Sequence, residues 1–508
     1  MNRSSYLVLL AAVGAVLIAS DLVASPLRVI ALTGTPVPGG GTPFEAFGSL
    51  SLNNSGEVAF NPWHFPNQFR IDSGGIWISK PGQELAMVDP PTYGHYDLVL
   101  NDAGEASFTN GGAVIRGSSL ANAKIVAATN EPAPGVDPPN TPFTNAFNRT
   151  GIALNDRNQV AFVGAAGSRD RLYLGDSSSS LKLIASAGDL VDDAGQTRPI
   201  LGLSGVQLND AGDLLFSERF QDPVTGANWH YVSYLWTRDQ ELKRIAGNGD
   251  TILTDRGPMQ FSTPTSAAQI NNNGQVAMIV NSKTLLVSSP QGYKVVVAED
   301  DPIGDERVFY LTNRYAISGD DTVVYEAAMF GGAAIPNQTR MIVRAVPGES
   351  PAIVARTLTP APGAPPGLVF ATYFGDFAVN GVGQVALSSW LQDASTGALD
   401  RFGIWAEDCQ GILRSIAQVG DIVDVDNGPG VDPRQISYLQ GISTGGNQSG
   451  LASLFNDLGQ VAFVAAFTDG SQAILISAAT VPEPAALSMV LWCLATSMCG
   501  RRRHKEAR

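Results

Sequence analysis

The sequence predicts an all-β protein, an eight-bladed β-propeller of four-stranded blades, and three observations predict it. One nine-residue phrase recurs along the body, each copy but the last followed by two further short apolar runs. Glycine and proline, 54 and 31 of 508 residues, punctuate those runs. The two ends of the body are incomplete in complementary ways. Repeats at such a period indicate a propeller or solenoid rather than several ordinary domains.

The phrase is first met as LNNSGEVAF (52–60) and returns as LNDAGEASF (100–108), LNDRNQVAF (154–162) and LNDAGDLLF (208–216). Further copies are INNNGQVAM (270–278), VNGVGQVAL (379–387) and FNDLGQVAF (455–463), with a worn copy, ISGDDTVVY (317–325), in the long gap. Apolar and polar residues alternate on both sides of an Asn-x-x-Gly centre, the pattern of two half-buried strands joined by a tight turn. Asn starts a type I turn and Gly takes the left-handed position of a G1 bulge. Asn158 and Asp321 stand where the other copies have Gly, and both tolerate positive φ better than most residues. The spacing lacks the alternating ligands of a calcium loop.

Each unit then continues alike. After the second phrase come GAVIRG (112–117) and AKIVAA (123–128); after the fourth, SYLWTRD (233–239) and LKRIAGNGD (242–250). This makes four strands, A to D, in roughly 57 residues, near the upper end of propeller repeats. Strand D tends to end in IA-x-x-GD, at Ile184–Asp189, Ile245–Asp250 and Ile416–Asp421. The last unit has A and B around Phe455–Phe463 and C at Ala473–Ser477, but no D. The body opens with LRVIALTGTPVPG (27–39), a strand D with no A, B or C before it. A ring closed by that N-terminal strand leaves no open edge, whereas a solenoid needs no such complementarity.

Composition narrows the function. A net charge of −15 and a pI near 4.7 argue against nucleic acid and anionic membrane surfaces. Of three cysteines, Cys493 and Cys499 fall in a C-terminal apolar run, leaving Cys409 alone in the body. The four histidines, 64, 95, 230 and 504, show no metal-ligand spacing. Nucleophile elbow, phosphate loop and Ser-His-Asp patterns are all missing from the sequence.

Residues 1–25 read as a signal peptide: Arg3 precedes an apolar run from Tyr6, and Ser20, Ala24 and Ser25 offer small-residue cleavage points. The propeller is expected over 26–480. Residues 481–508 differ in kind: Pro482, Glu483 and Pro484 precede an apolar run to Gly500 and then Arg501-Arg502-Arg503. That run is short for a span of about 20 residues, and the basic tail should stay cytoplasmic. The arrangement resembles the PEP-CTERM sorting signal. The resemblance implies export from a Gram-negative-type bacterium, transient inner-membrane anchoring through the C-terminal segment, and processing by an exosortase near Pro482–Pro484. The body resembles the tandem NxxGxxxF-type repeats of proteins that carry such anchors.

In a propeller the A–B and C–D turns share one face, and the B–C and D–A loops the other. The A–B turns here are minimal, so recognition is expected on the second face. Its D–A loops are 129–150, 253–264, 357–375 and 421–450; its B–C loops are 62–74, 219–232 and 390–401. Candidate ligand-binding residues are Trp63, His95, Tyr96, Trp229, His230 and Trp390, whose rings can stack on sugars or fill a protein interface; packing between blades is the plain alternative. Asp424 and Asp426 lie in a stretch like a calcium loop, but Gly428 comes one position early and Gln435 stands where the bidentate Glu belongs. No cofactor is expected, calcium being the one weak candidate. The expectation is a non-catalytic exported binding or scaffold module for polysaccharide or a surface protein. The rival is a polysaccharide lyase or glycoside hydrolase using carboxylates on the long-loop face.

Overall fold

The computed structural model describes residues 27–478, apart from 41, 68–69, 92–95, 145–146, 148–150, 194–195, 222–228, 262–267, 290–291, 331–338, 443–444 and 447–448. The signal-peptide and PEP-CTERM segments, including Pro482, Glu483 and Pro484, lie outside the described residues. What is described is all β, and it forms eight antiparallel blades.

Blade 1 comprises Ala46–Leu52, Val58–Asn67, Ile76–Ser79 and Ala86–Asp89, and blade 2 Tyr96–Leu100, Ala106–Thr109, Ala113–Gly117 and Lys124–Ala128. Blade 3 is Ile152–Leu154, Val160–Ala166, Arg169–Gly175 and Lys182–Ser186; blade 4 is Gly202–Leu208, Leu214–Gln221, Trp229–Trp236 and Leu242–Gly247. Blade 5 follows with Gln269–Ile270, Val276–Val280, Thr284–Ser289 and Gly292–Ala298. Blade 6, which carries the worn phrase, has all four strands: Glu306–Ile317, Val323–Phe330, Thr339–Ala345 and Ala352–Arg356. Blade 7 is Leu368–Val379, Val385–Asp393, Leu399–Glu407 and Leu413–Gln418.

Blade 8 closes the ring as the incomplete ends require. Arg28–Leu32 pairs antiparallel with Gln472–Ile476, which pairs with Ala462–Phe467. Strand A of this blade is split: Pro433–Leu439 pairs the outer half of Ala462–Phe467, and Phe455 bridges Val461 near the turn. Fifteen residues, 440–454, intervene where three would complete the strand.

The phrase's final residue explains why the blades stack. Phe60, Phe108, Phe162, Phe216, Tyr325, Leu387 and Phe463 are all fully or almost fully buried. Each joins an apolar cluster, such as that of blades 2 and 3 around Phe143, Phe147, Phe162 and Tyr173. Burial of one such side chain stabilises by about 1.5–3 kcal/mol, with an aromatic ring in six blades, Met278 in blade 5 and Leu387 in blade 7.

The turn residue adopts the expected conformation in every copy. Gly56, Gly104, Asn158, Gly212, Gly274, Asp321, Gly383 and Gly459 all have φ between 64 and 90°.

Two expectations about loops need correction. The expected B–C loops are hairpins where they are described: strand B runs on and pairs Trp63 with Ser73 in blade 1, Gln221 with Trp229 in blade 4 and Gln392 with Leu399 in blade 7. In blade 4 the register continues unbroken to Gln221 and Trp229, whereas in blade 7 it shifts once, between Trp390 and Gln392. Nor is 421–450 a single surface loop, because its second half enters the centre of the ring.

Candidate functional site

A propeller's usual cavity is the channel along its axis, where the strands A converge. Here the motif Asn side chains join blade to blade at one end of that channel. Asn53 Nδ2 donates to the Asn101 carbonyl at 2.9 Å, Asn101 to Asn155 at 2.9 Å, and Asn155 to Asn209 at 3.1 Å. The chain of clasps continues from Asn209 to Asn271 at 2.9 Å and from Asn271 to Ser318 at 3.0 Å. Asn380 donates to Asn456 and Asn456 to Asn53, both at 2.9 Å, which joins the last blade to the first.

Each Asn is fully employed. Asn209 Oδ1 accepts the Asp213 N–H at 2.8 Å within its own turn, and its second amide hydrogen goes to Asp213 Oδ2 at 3.2 Å. The same arrangement uses Gln159, Gln275, Gln384 and Gln460 in other blades. A buried amide with every polar atom satisfied favours one arrangement of the blades over others.

Next to the Asn ring lies a second, more exposed one. The N–H of Asn54 donates to Asp102 Oδ1, Asp102 to Asp156, Asp156 to Asp210, and Asp210 to Asn272 Oδ1, at 2.7–2.9 Å. Asp457 donates to Asn54 Oδ1 at 2.8 Å. Burial, then the charge of Asp210, pushes the Asp156 carboxyl up to about 6, and burial raises Asp102 as well. Beneath Asp102, Asp156 and Asp210 is a cavity of about 20 Å3, closed by Leu52, Leu154, Gly450, Leu451 and Ser453 and large enough for about one water.

The residues that close that cavity come from the insertion in blade 8. Ser453, Gly450 and Ser449 carbonyls accept the N–H groups of Leu52 (blade 1), Leu154 (blade 3) and Leu208 (blade 4), at 2.7, 2.8 and 2.8 Å. Gly445–Gly446 pairs in parallel with Ala378 and Val379 of blade 7. The segment is therefore a belt inside the ring, touching blades on opposite sides of the axis. Gly450 is required where it sits: its φ is +68°, and a Cβ would meet Leu208 O at 2.4 Å. The belt was hidden in the sequence within what reads as a long D–A loop. Its one signal is the cluster Gly441, Gly445, Gly446 and Gly450 just before the final phrase.

The sequence-derived candidates are dispersed over blades 1, 2, 4 and 7. Trp63 is half-buried on strand B of blade 1, its indole over Gly48. Tyr96 is 50% exposed at the start of strand A of blade 2, and His95 lies outside the described residues. Trp229 and His230 open strand C of blade 4, opposite Gln221 and Phe220. Trp390 is 38% exposed and packs edge-on against Phe402 of its own blade. Asp424 and Asp426 accept N–H groups of their own loop: Asp426 and Asp432 donate to Asp424, and Gly428 to Asp426. Between them and the ring's closing strand, Asn427 bonds both the N–H and the carbonyl of Val29, at 3.1 and 2.7 Å. The Asp-rich stretch thus clasps the outer edge of the N-terminal strand. Among the described residues no group of three or more His, Cys, Asp or Glu is placed to hold a metal ion.

The described surface carries several clefts of similar size, about 440–460 Å3, and two of them lie beside blade 6, reached from the turns that the sequence leaves minimal. One of about 440 Å3 lies between blades 5 and 6, lined by Val287, Lys294, Val297, Val323, Pro347 and Glu349. The other, about 450 Å3, lies between blades 6 and 7, with Asp320, Arg344, Asp408 and Cys409 in its wall.

Fold and axis together define an eight-bladed propeller whose channel is occupied by its own chain. This protein belongs to a family of unknown function, DUF7453, whose profile matches residues 24–171, 165–295 and 281–488. No curated protein matches it. Among solved structures it is similar to the Dos1 propeller, at 10% identity over 89% of this chain and 95% of that one, TM-score 0.37. A chain from a study of two prolyl endopeptidases is similar at 10% identity over 85% and 50%, TM-score 0.39. The gluconolactonase XC5397 of Xanthomonas campestris is similar at 10% identity over 85% and 98%, TM-score 0.27. Likenesses this distant carry no argument about function.

Proposed function

We propose that this protein is an exported propeller that serves as a rigid binding or scaffold module at the cell surface or in the extracellular matrix. The observation that carries the reading is the filled axis. The belt occupies the channel with backbone hydrogen bonds to several blades, so the channel is not an open ligand route. Recognition is assigned to the face from which the long hairpins of blades 1, 4 and 7 rise. Trp390 on one of these hairpins, and Tyr438 at 61% exposure on strand A of blade 8, present aromatic surface there. Such rings suit a polysaccharide or a partner protein. The resemblance of 481–508 to a PEP-CTERM signal supports the address, with exosortase as processing partner.

The test uses residues 26–480 on a glycan array and in pull-downs from the outer-surface fraction. Specific capture that is lost on replacing Trp390 and Tyr438 by Ala supports the reading. Capture that survives both replacements, or none at all, overturns it. Mass spectrometry of the mature protein tests the address: an intact C-terminus through Arg508 would count against sorting.

A further inference from the structure

The inner rim of the ring has a bonding problem that the sequence solves in two ways. The residue just before each motif Asn lies on the axis-facing edge of strand A, with an N–H that has no next strand to receive it. In three places the side chain two residues before the motif Asn reaches the following blade. Ser51 Oγ accepts the Leu100 N–H at 3.0 Å, and Gln207 Oε1 accepts that of Ile270 at 3.1 Å. Gln269 Nε2 donates to the Tyr315 carbonyl at 2.7 Å. At the other five copies that residue is apolar: Val99, Ala153, Ala316, Ala378 and Leu454.

Those five precede blades 3, 4, 7, 8 and 1, and these are the blades the belt serves. Leu154, Leu208 and Leu52 donate to Gly450, Ser449 and Ser453. Val379 pairs with Gly446, and Phe455 N donates to Ser453 Oγ at 3.2 Å. Where a side chain reaches the rim of the next blade, no hydrogen bond to the belt is found among the described residues; at the other blades the belt supplies backbone to blades 1, 3, 4 and 7 and Ser453 Oγ to blade 8. That correspondence is too regular for a loop that merely fills space.

We propose that the inner rim is a peptide-backbone recognition site, with the chain's own residues 445–446 and 449–453 as its built-in occupant. Its ligand class is a glycine-containing polypeptide segment recognised through its backbone carbonyls, with a left-handed glycine at the closest approach. Side chains of the occupant matter little, because the bonds run to its carbonyls, and glycine is demanded only at close approach. The proposal concerns the axis and is independent of the hairpin face, so either can fail alone.

The geometry of blade 8 makes the site testable without breaking the ring. Gln440 N donates to the Val464 carbonyl and Ala462 N to that of Leu454, at 2.9 Å each. Deleting 441–452 therefore leaves Gln440, Ser453 and Leu454 opposite Val464, Phe463 and Ala462, an unbroken strand in register. The expected result is a folded monomer with a lowered Tm. Hydrogen exchange at Leu154 and Leu208 should be about tenfold faster or more, the cost of one lost bond each. A synthetic peptide of residues 441–452 should bind by calorimetry and restore protection. The same peptide with Gly450→Val should not, since its Cβ meets Leu208 O. Adding Ala153→Gln to the deletion should restore protection at Leu208 without peptide, as Gln207 does at Ile270.

Unchanged exchange in the deletion, or equal binding of both peptides, overturns the proposal. Should the deletion fail to fold, full-length Gly450→Val decides. Faster exchange confined to the rim of blades 3 and 4 supports the site, and unaltered protection refutes it.

Discussion

A left-handed residue closes each A–B turn, and its neighbours show what that position tolerates. At Gly104 a Cβ would lie 2.5 Å from Glu57 Oε2 and 3.1 Å from Lys80 Nζ, the ends of an ion pair. Gly104→Val should therefore cost about 2–3 kcal/mol, from left-handed strain plus displacement of that pair, read as a lowered unfolding midpoint. Asn158 and Asp321 are kept at the same position because each returns something: their Oδ1 atoms accept Asn101 Nδ2 at 2.8 Å and Asn271 Nδ2 at 3.0 Å. The neighbouring Asp156 should make stability fall as pH rises. Its carboxyl holds a proton more tightly folded (pKa about 6) than at its ordinary value of 3.8, so ionisation is penalised in the folded state. The penalty is complete above pH about 6 and absent below about 3.8. Asp156→Asn should accordingly melt higher than wild type at pH 7, with the difference closing toward pH 4; a constant difference would contradict this.

Among the elements, blade 6 departs most from its neighbours. Ser318 replaces the motif Asn and has no amide to give Asn380, so the clasp ring breaks between blades 6 and 7. Gly319 and Gly381 have no side-chain acceptor, which interrupts the Asp ring between blades 5 and 6 and between blades 6 and 7, while the Gly381 N–H still donates to Asp457. Two arginines of blade 6 cross the seam instead. Arg344 binds both oxygens of the buried Glu407 at 3.0 and 2.8 Å, and Arg314 donates to the Phe374 and Gly375 carbonyls at 3.0 and 2.7 Å. Burial pushes the Glu407 carboxyl up while Arg344 pulls it down. Arg344→Met should strand that carboxylate and cost about 3–5 kcal/mol, whereas Arg344→Met with Glu407→Leu should recover most of the loss. Thermal unfolding of the two variants separates the outcomes, and equal destabilisation would show that the pair is not the seam's main bond. The worn phrase was visible in the sequence. Its replacement was not, because Arg344 and Glu407 are 63 residues apart.

For the whole molecule, the closing strand is the point where the chain's two ends meet. Val29, Ile30 and Ala31 join the largest apolar cluster, packed with residues of blades 7, 8 and 1. Their outer edge is held by Asn427. Removal of residues 27–33 should expose that cluster and the Gln472–Ile476 edge together, which predicts larger oligomers by size-exclusion chromatography than the intact protein forms. A truncated chain that stays monomeric with an unchanged Tm would mean the ring does not depend on this closure.

Strand order, blade number, the left-handed turn and the closing partner were all determined by local pattern: alternating polarity, an Asn-x-x-Gly spacing and two half-blades that need each other. The turns and strands depend on neighbours within a few residues, and the closing partner on two end segments that each repeat part of the same unit, so all of them are written in the sequence. What occupies the axis was decided by tertiary structure alone. Whether Leu208 finds its acceptor in a preceding Gln or in Ser449 depends on which residues the closed ring brings to its rim. The Asn clasps, the Asp ring and the belt therefore become legible only once blades that are distant in sequence stand side by side.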